Sequence, residues 1–244
     1  MKISKIRIYV FFLTPLLCFK GLHADNLQEG IRAYEAKQYT QAIERFSAAI
    51  DSDNETASAR HNLALAYFQS GQPAEALWQL ERAHRLEPSD KELIVKTQAL
   101  KQVLGLFSAN EEWFEIASKQ LSYAQWIILC ASLFWILVAL HLFLRSKAYP
   151  LSAARILAWI MLVAAAPLTY LSFLDSKSGQ IIRNQPVELR AAPASAAPAT
   201  ASRLPGSQGR ILDSHENFYL IKTPEGPTGW ISKDDFRPYY KNTL

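Results

Sequence analysis

The side chains able to do chemistry in this chain are few and dispersed. Its five histidines are His23, His61, His84, His141 and His215, and its two cysteines are Cys18 and Cys130. A zinc site needs His and Cys ligands a few residues apart, or an HExxH pair on one helix face, and neither spacing occurs. Glu111–Glu112 and Asp234–Asp235 are adjacent acids that read as solvated groups. No phosphate-cradling GxxxxGK[ST] loop, GxSxG elbow or dinucleotide fingerprint is present. The expectation is a protein that is not an enzyme, with no catalytic, cofactor-binding or metal-binding residue and no small-molecule substrate. The net charge of +4 is small for 244 residues, and Lys and Arg are scattered, which argues against a nucleic-acid partner.

If function does not lie in reactive groups, it must lie in surfaces, and one surface-building signal is strong. Gly30, Ala42, Phe46 and Ala49 recur 34 residues later as Ala64, Ala76, Leu80 and Ala83. Small residues at fixed sites, with large apolar ones between them, mark helix–turn–helix units that must stack to bury their apolar faces. Gly30 and Ala64 sit where the two helices of a unit meet, and Ala42 and Ala76 let the backbones approach. Phe46, Leu63 and Leu80 fill the seams. Gly71 supplies a turn, Pro73 can open the next helix, and Pro88 closes the unit.

These segments resemble the tetratricopeptide (TPR) family over residues 25–120. The resemblance implies protein–protein binding on the inner face formed by the first helix of each unit. By repeat register that face carries Leu27, Ile31 and Tyr34, then His61, Leu65 and Phe68. Some family members grip a C-terminal carboxylate with Lys and Asn. Asn62 fits that pattern here, but Leu27 and Ile31 do not, which points to apolar contacts. A helix is predicted over Ser89–Leu104, with Ser89 as N-cap and Glu92 three residues on. Gly105, Phe114 and Ala117 continue the register, so 108–120 is either a degenerate third unit or a helix lying on a membrane surface through Trp113, Phe114 and Ile116.

Three apolar blocks set the chain's relation to a membrane. Lys2, Lys5 and Arg7 precede an apolar run from Ile8 to Phe19, the layout of a signal peptide over residues 1–24 cleaved after Ala24. Leu22 departs from the cleavage pattern, which keeps an uncleaved anchor open. Residues 126–144 and 156–174 are each long enough to cross about 30 Å of hydrocarbon and are predicted as two transmembrane helices. His141 lies near the end of the first, within reach of headgroups, and Pro167 is expected to kink the second. Between them, loop 145–155 carries Arg145, Lys147 and Arg155 with no acid, which predicts that it faces the cytoplasm. Both flanking regions are then expected on the extracytoplasmic, periplasmic side of a bacterial inner membrane. With Cys18 in the signal and Cys130 in a membrane helix, the exported parts would hold no disulfide.

From Gly179 onward the pattern changes to short alternating runs separated by Gly and Pro, predicting a small all-β unit of about five strands over 179–240. The Ala/Pro-rich stretch 192–202 reads as a mobile loop inside it. The runs VELRAAP, LPGSQGRILD, FYLIKTPEG and GWISKDDF resemble a bacterial SH3-like β-barrel, with Trp230 expected as a packing residue. The fold class is thus a helical TPR domain, two membrane helices and a C-terminal SH3-like barrel. That order resembles the BatE proteins of bacterial aerotolerance (Bat) operons. The resemblance implies a scaffold in a membrane complex whose partners are membrane proteins with von Willebrand A domains, encoded with a MoxR-type ATPase. A second implied class is a cell-wall anchor that binds peptidoglycan through the SH3-like domain.

Overall fold

The computed structural model describes residues 25–50, 55–106, 113–144, 152–224 and 226–240. The expected signal peptide, residues 145–151 of the expected loop and residues 108–112 lie outside them. Two compact units are formed. One runs to Leu106 and includes Ile182–Gln185 and Leu204–Gly206; the other holds the remaining residues from Phe107.

In the first unit, α1 (25–35), α2 (Tyr39–Ala49), α3 (Ala57–Gln69), α4 (Pro73–Leu86) and α5 (Lys91–Val103) follow one another. Small residues control how closely the helices approach. A Cβ on Gly30 would lie 2.5 Å from Cδ1 and Cε1 of Phe46, so only glycine admits that ring. Phe46 is buried with Ala33, Ala42, Leu63 and Ala66 in one core cluster. Ala64, Ala76, Leu77, Leu80 and Ala83 join Leu93 and Leu100 of α5 in a second.

Side chains cap the starts of α3 and α5, and a proline opens α4. Thr56 Oγ1 accepts from the Ala59 amide at 3.2 Å, and Pro73 opens α4. At α5 the N-cap is Asp90 rather than Ser89, because the Asp90 carboxylate accepts from the Glu92 and Leu93 amides.

The helix ends reveal the repeat more completely than the sequence does. Lys37, Gly71 and Gly105, each 34 residues from the next, adopt left-handed φ values of 59°, 77° and 72°. Each closes the same pair of bonds: Lys37 N to Tyr34 O and Gln38 N to Ala33 O, then Gly71 N to Phe68 O and Gln72 N to Tyr67 O, then Gly105 N to Gln102 O and Leu106 N to Lys101 O. α5 therefore ends in the same turn as the first helix of each preceding unit. Phe114 and Ala117 fall in α6 (Trp113–Lys119), which packs on α8.

The second unit begins with α6, followed by α7 (Tyr123–Leu144) and α8 (Ser152–Ser176). α7 and α8 form an antiparallel hairpin. The rings of Tyr123 and Phe173 lie 5.3 Å apart, Ser172 Oγ donates to Leu121 O at 3.4 Å, and Cys130 Sγ lies 3.4 Å from Thr169 Oγ1. α8 remains helical through Pro167. Among the described residues, one helix is long and apolar enough to cross a membrane: Trp159–Ser176, only 11% of it buried. Taken together, α6 and the α7 stretch Tyr123–Ala139 also pass for length and apolarity, with a 92° bend between them.

One residue after α8, the chain enters a seven-stranded antiparallel sheet: β1 (Ser178–Ile181), β2 (Val187–Arg190), β3 (Ala199–Arg203), β4 (Gln208–His215), β5 (Phe218–Lys222), β6 (Thr228–Ser232) and β7 (Phe236–Pro238). The strand order is β3-β2-β6-β5-β4-β1-β7, with seven strands instead of about five. The extra strand β3 comes from the stretch expected as a mobile loop. Ala199–Arg203 pairs with β2, Thr200 Oγ1 donates to Leu189 O, and Arg190 binds Ala197 O. Small and β-branched side chains there can lie flat along the neighbouring strand.

Ile181, Val187, Leu189, Ile211, Ile221, Ile231 and Phe236 form the core of the sheet. Trp230 is not among them. Strand alternation turns its neighbours Gly229 and Ile231 inward, and Trp230 is left half-exposed on the outer face, edge-on to His215 at 6.4 Å. The buried aromatic anchor is instead Phe236, 1% exposed.

Candidate partner-binding groove

The first helices of the repeats, α1, α3 and α5, carry the candidate groove. On α1, Leu27, Ile31 and Tyr34 follow i, i+4, i+7 spacing and share a face. Leu27 and Tyr34 are half-buried against the cluster around Phe46, whereas Ile31 is 36% exposed. On α3, His61, Leu65 and Phe68 share a face in the same way, with His61 and Leu65 half-buried and Phe68 45% exposed. Leu27 and Tyr34 are thus partly structural, and Ile31 and Phe68 are the open apolar positions.

The structure adds a third row that sequence reading leaves out. Lys96 of α5 reaches back to α3, its Nζ donating to His61 Nε2 at 2.8 Å. Beside it, Val95 is 63% and Val103 69% exposed, values unusual for valine in a packed helical unit. The 34-residue offset reaches Val95 but not Val103, since His61, Leu65 and Phe68 moved by 34 residues fall on Val95, Ala99 and Gln102.

The electrostatics of the groove are set by this contact. Burial, with the Lys96 charge adding to it, pushes the His61 pKa below its usual range, against the opposing pull of Glu92 and Asp90. The imidazole is then neutral near pH 7 and serves as the acceptor for the ammonium. Lys96 also pairs with Glu92 at 2.5 Å, one turn earlier on α5. Beside this neutral histidine and carboxylate-held ammonium, the large exposed apolar side chains of α1, α3 and α5 are Ile31, Phe68, Val95 and Val103.

Charged contacts elsewhere fix the helices that present this face. Glu55 is clamped by Arg60 at 2.8 Å and Arg82 at 2.5 Å, tying the start of α3 to α4. Burial would raise the Glu55 pKa, but the hydrogen bonds and charges of Arg82 and Arg60 outweigh it and leave it lowered. Arg60 also binds Gln79 at 2.6 Å and lies 5.1 Å over the Trp78 ring. Glu81, 4% exposed, joins Arg85 of α4 to Lys101 of α5.

Among the described residues, no cluster of three or more His, Cys, Asp and Glu side chains could hold a metal ion. The arrangement offers an apolar strip for an extended or helical segment.

Comparison with known families agrees with the repeat geometry. Residues 32–71 match the family described as TPR repeat, and residues 57–100 match the family described as tetratricopeptide repeat. The second match ends within α5, inside the third row of the groove. No curated protein matches the chain. The N-terminal region therefore contains TPR repeats, and such repeats generally mediate protein–protein interaction.

Proposed function

We propose that this chain is a membrane-anchored, non-catalytic scaffold whose TPR groove binds an apolar segment of another membrane protein. The observation that carries the binding role is the row of solvent-exposed apolar side chains on α1, α3 and α5: Ile31, Phe68, Val95 and Val103. Large apolar groups on successive first helices are a standing cost unless a partner covers them.

Membrane anchoring draws support from the hairpin. Ile128, Trp135 and Ile136 on α7, and Ile156, Trp159, Ile160 and Val163 on α8, are each more than half exposed. A soluble core helix would bury such residues. Ser132 and Thr169 turn their hydroxyls onto carbonyls of their own helices, as polar groups surrounded by hydrocarbon require. In an antiparallel hairpin the chain enters and leaves at one end, so the segments flanking a membrane-crossing hairpin lie on the same side. The basic residues Arg145, Lys147 and Arg155 support a cytoplasmic loop, with both flanks on the periplasmic side of a bacterial inner membrane. The module order supports membership of a Bat-type complex, with a von Willebrand A-domain membrane protein as the partner, and an SH3-like reading of the sheet.

Crosslinking in native membranes tests the binding role. Leu65→Arg or Phe68→Arg should abolish partner crosslinks with helicity retained, because a buried unpaired charge is strongly disfavoured. Unchanged crosslinks in both folded variants would refute the groove. Alkaline phosphatase fused after Leu244 should be active and fused at Tyr149 inactive; the opposite pattern would overturn the topology.

A second reading, a peptidoglycan-binding anchor, draws on half-exposed Trp230 beside His215 on the outside of the sheet. Co-sedimentation of the full chain with cell wall, lost in Trp230→Ala, would favour it.

A further inference from the structure

We propose that α6 is an in-plane membrane-surface helix, with Trp113 and Ile116 seated at the boundary between lipid headgroups and acyl chains. The proposal rests on the reading of α7 and α8 as a membrane hairpin and adds where that hairpin meets the surface. Four observations converge on it.

The first is direction. α6 is bent by 92° from the α7 stretch Tyr123–Ala139 across a short break. A helix perpendicular to one that crosses the bilayer lies parallel to its plane.

The second is that the bend is built into the chain. Ser122 N donates to Gln125 Oε1 at 2.8 Å, and Gln125 N lies 3.4 Å from Ser122 Oγ, a reciprocal cap that starts α7. The buried Trp126 Nε1 donates to Ser118 O at 3.0 Å and holds the end of α6 against the beginning of α7. The backbone groups freed by the turn thus find partners in protein rather than lipid.

The third is level. α6 packs on α8, and the break is held to the C-terminal end of that helix by Ser172–Leu121 and Tyr123–Phe173. There the apolar run of α8 gives way to Asp175 and Lys177, and the Lys177 ammonium lies 5.1 Å over the Phe173 ring. An aromatic–lysine pair at the end of an apolar helix marks the water boundary.

The fourth is surface chemistry. Trp113 is 74% and Ile116 49% exposed, and their i, i+3 spacing puts them on one face. Lys119 in the last turn of α6 and Lys177 just past the end of α8 suit anionic headgroups. Two apolar side chains add little to the anchoring supplied by the hairpin. They fix its depth, and hence the distance at which the chain leaves the membrane on that side.

The test uses the full chain reconstituted in phosphatidylcholine–phosphatidylglycerol vesicles, with Cys18 and Cys130 replaced by alanine. A nitrobenzoxadiazole label is placed at Ile116→Cys or, as a hairpin control, Val163→Cys. Quenching is compared between lipids brominated high on the acyl chain (carbons 6,7) and near its end (11,12). The label at 116 should be quenched at least twofold more by the shallow bromines, and the label at 163 more by the deep ones. Quenching at 163 without quenching at 116 overturns the proposal and leaves the hairpin standing, as does deeper quenching at 116 than at 163. A label at 116 shielded from aqueous iodide but untouched by bromolipid means that protein covers this face, which also overturns it. No quenching at either site refutes the hairpin reading and, with it, this inference.

Discussion

Gly30→Ala isolates the contact on which the first repeat is built. The added Cβ would sit 2.5 Å from two carbons of the Phe46 ring, whereas carbon atoms rest about 3.5–4.0 Å apart, so the ring must withdraw by about 1 Å. Phe46 is 1% exposed and enclosed by Ala33, Ala42, Leu63 and Ala66, which leaves no slack. Overpacking of this kind costs about 1–3 kcal/mol, against which alanine's better helix propensity returns about 1 kcal/mol. The single variant should therefore lose up to about 2 kcal/mol. The second repeat shows how the clash is avoided, because its equivalent pair is Ala64 with the smaller Leu80. Gly30→Ala combined with Phe46→Leu reproduces that pair, and the double variant should be more stable than the sum of the single changes by at least about 1 kcal/mol. Hydrogen–deuterium exchange on the full chain in detergent reads this directly, since about 1.4 kcal/mol of opening free energy is a tenfold change in exchange across residues 25–50. Additive effects of the two substitutions would refute the argument that this close approach sets the helix pair.

Other expectations follow from the same structure. Lys37→Gly should stabilise the first turn by about 1 kcal/mol and Gly71→Ala should destabilise the second by a similar amount, because both positions are left-handed; equal exchange rates in the two variants would count against the shared turn. His61 binds its proton less readily in the folded unit than at its ordinary 6.5, so the unfolded chain takes up that proton first and stability falls as pH drops below about 6.5. Glu55, lowered from 4.5, adds stability above that value that is lost on further acidification, so thermal melts should show acid loss in both windows. Lys96→Met should raise the His61 pKa in an NMR titration, and an unmoved midpoint would remove the 2.8 Å contact from the account. Phe236→Ala should unfold the sheet, at about 3–5 kcal/mol, while Trp230→Ala costs far less; the reverse order in denaturant melts would restore Trp230 to the core.

The helical repeat was readable in the sequence because its signature is steric. Glycine or alanine must stand at positions 30, 42, 64 and 76 for the helices to approach, and nothing larger satisfies that geometry. The third unit is harder to read because Gly105 marks its turn while Asn110 stands at the site held by Ala42 and Ala76 in the first two. Lys37 holds the same turn without glycine, so the rule has no residue signature at one of its three sites. Trp230 was misplaced for another reason. Tryptophan is often buried, but strand alternation outranks that preference, and Gly229 must face inward because a Cβ there would meet Leu189 at 2.7 Å. The strand at Ala199–Arg203 was missed because alanine, serine and threonine announce no side-chain pattern; what fixes it is pairing with β2.

The groove was partly legible, and the unread part changes its chemistry. Residues spaced to share a helix face can serve the core, the groove or both, and sequence alone does not apportion them. Leu27 and Tyr34 turn out to lean on the Phe46 cluster, while Ile31 and Phe68 stay open. The contact from Lys96 to His61 joins α5 to α3, and Val95, the counterpart of His61 in the repeat register, is exposed on α5. The same contact bears on what the surface would hold. A terminal carboxylate calls for a well-presented ammonium, and the Lys96 ammonium is engaged by Glu92 and His61. Binding a carboxylate there would first require breaking an ion pair, whereas an aliphatic or aromatic side chain could settle against Phe68 and Val95 with no such exchange. The proposed groove is therefore better matched to an internal apolar segment of a partner than to its free C-terminus.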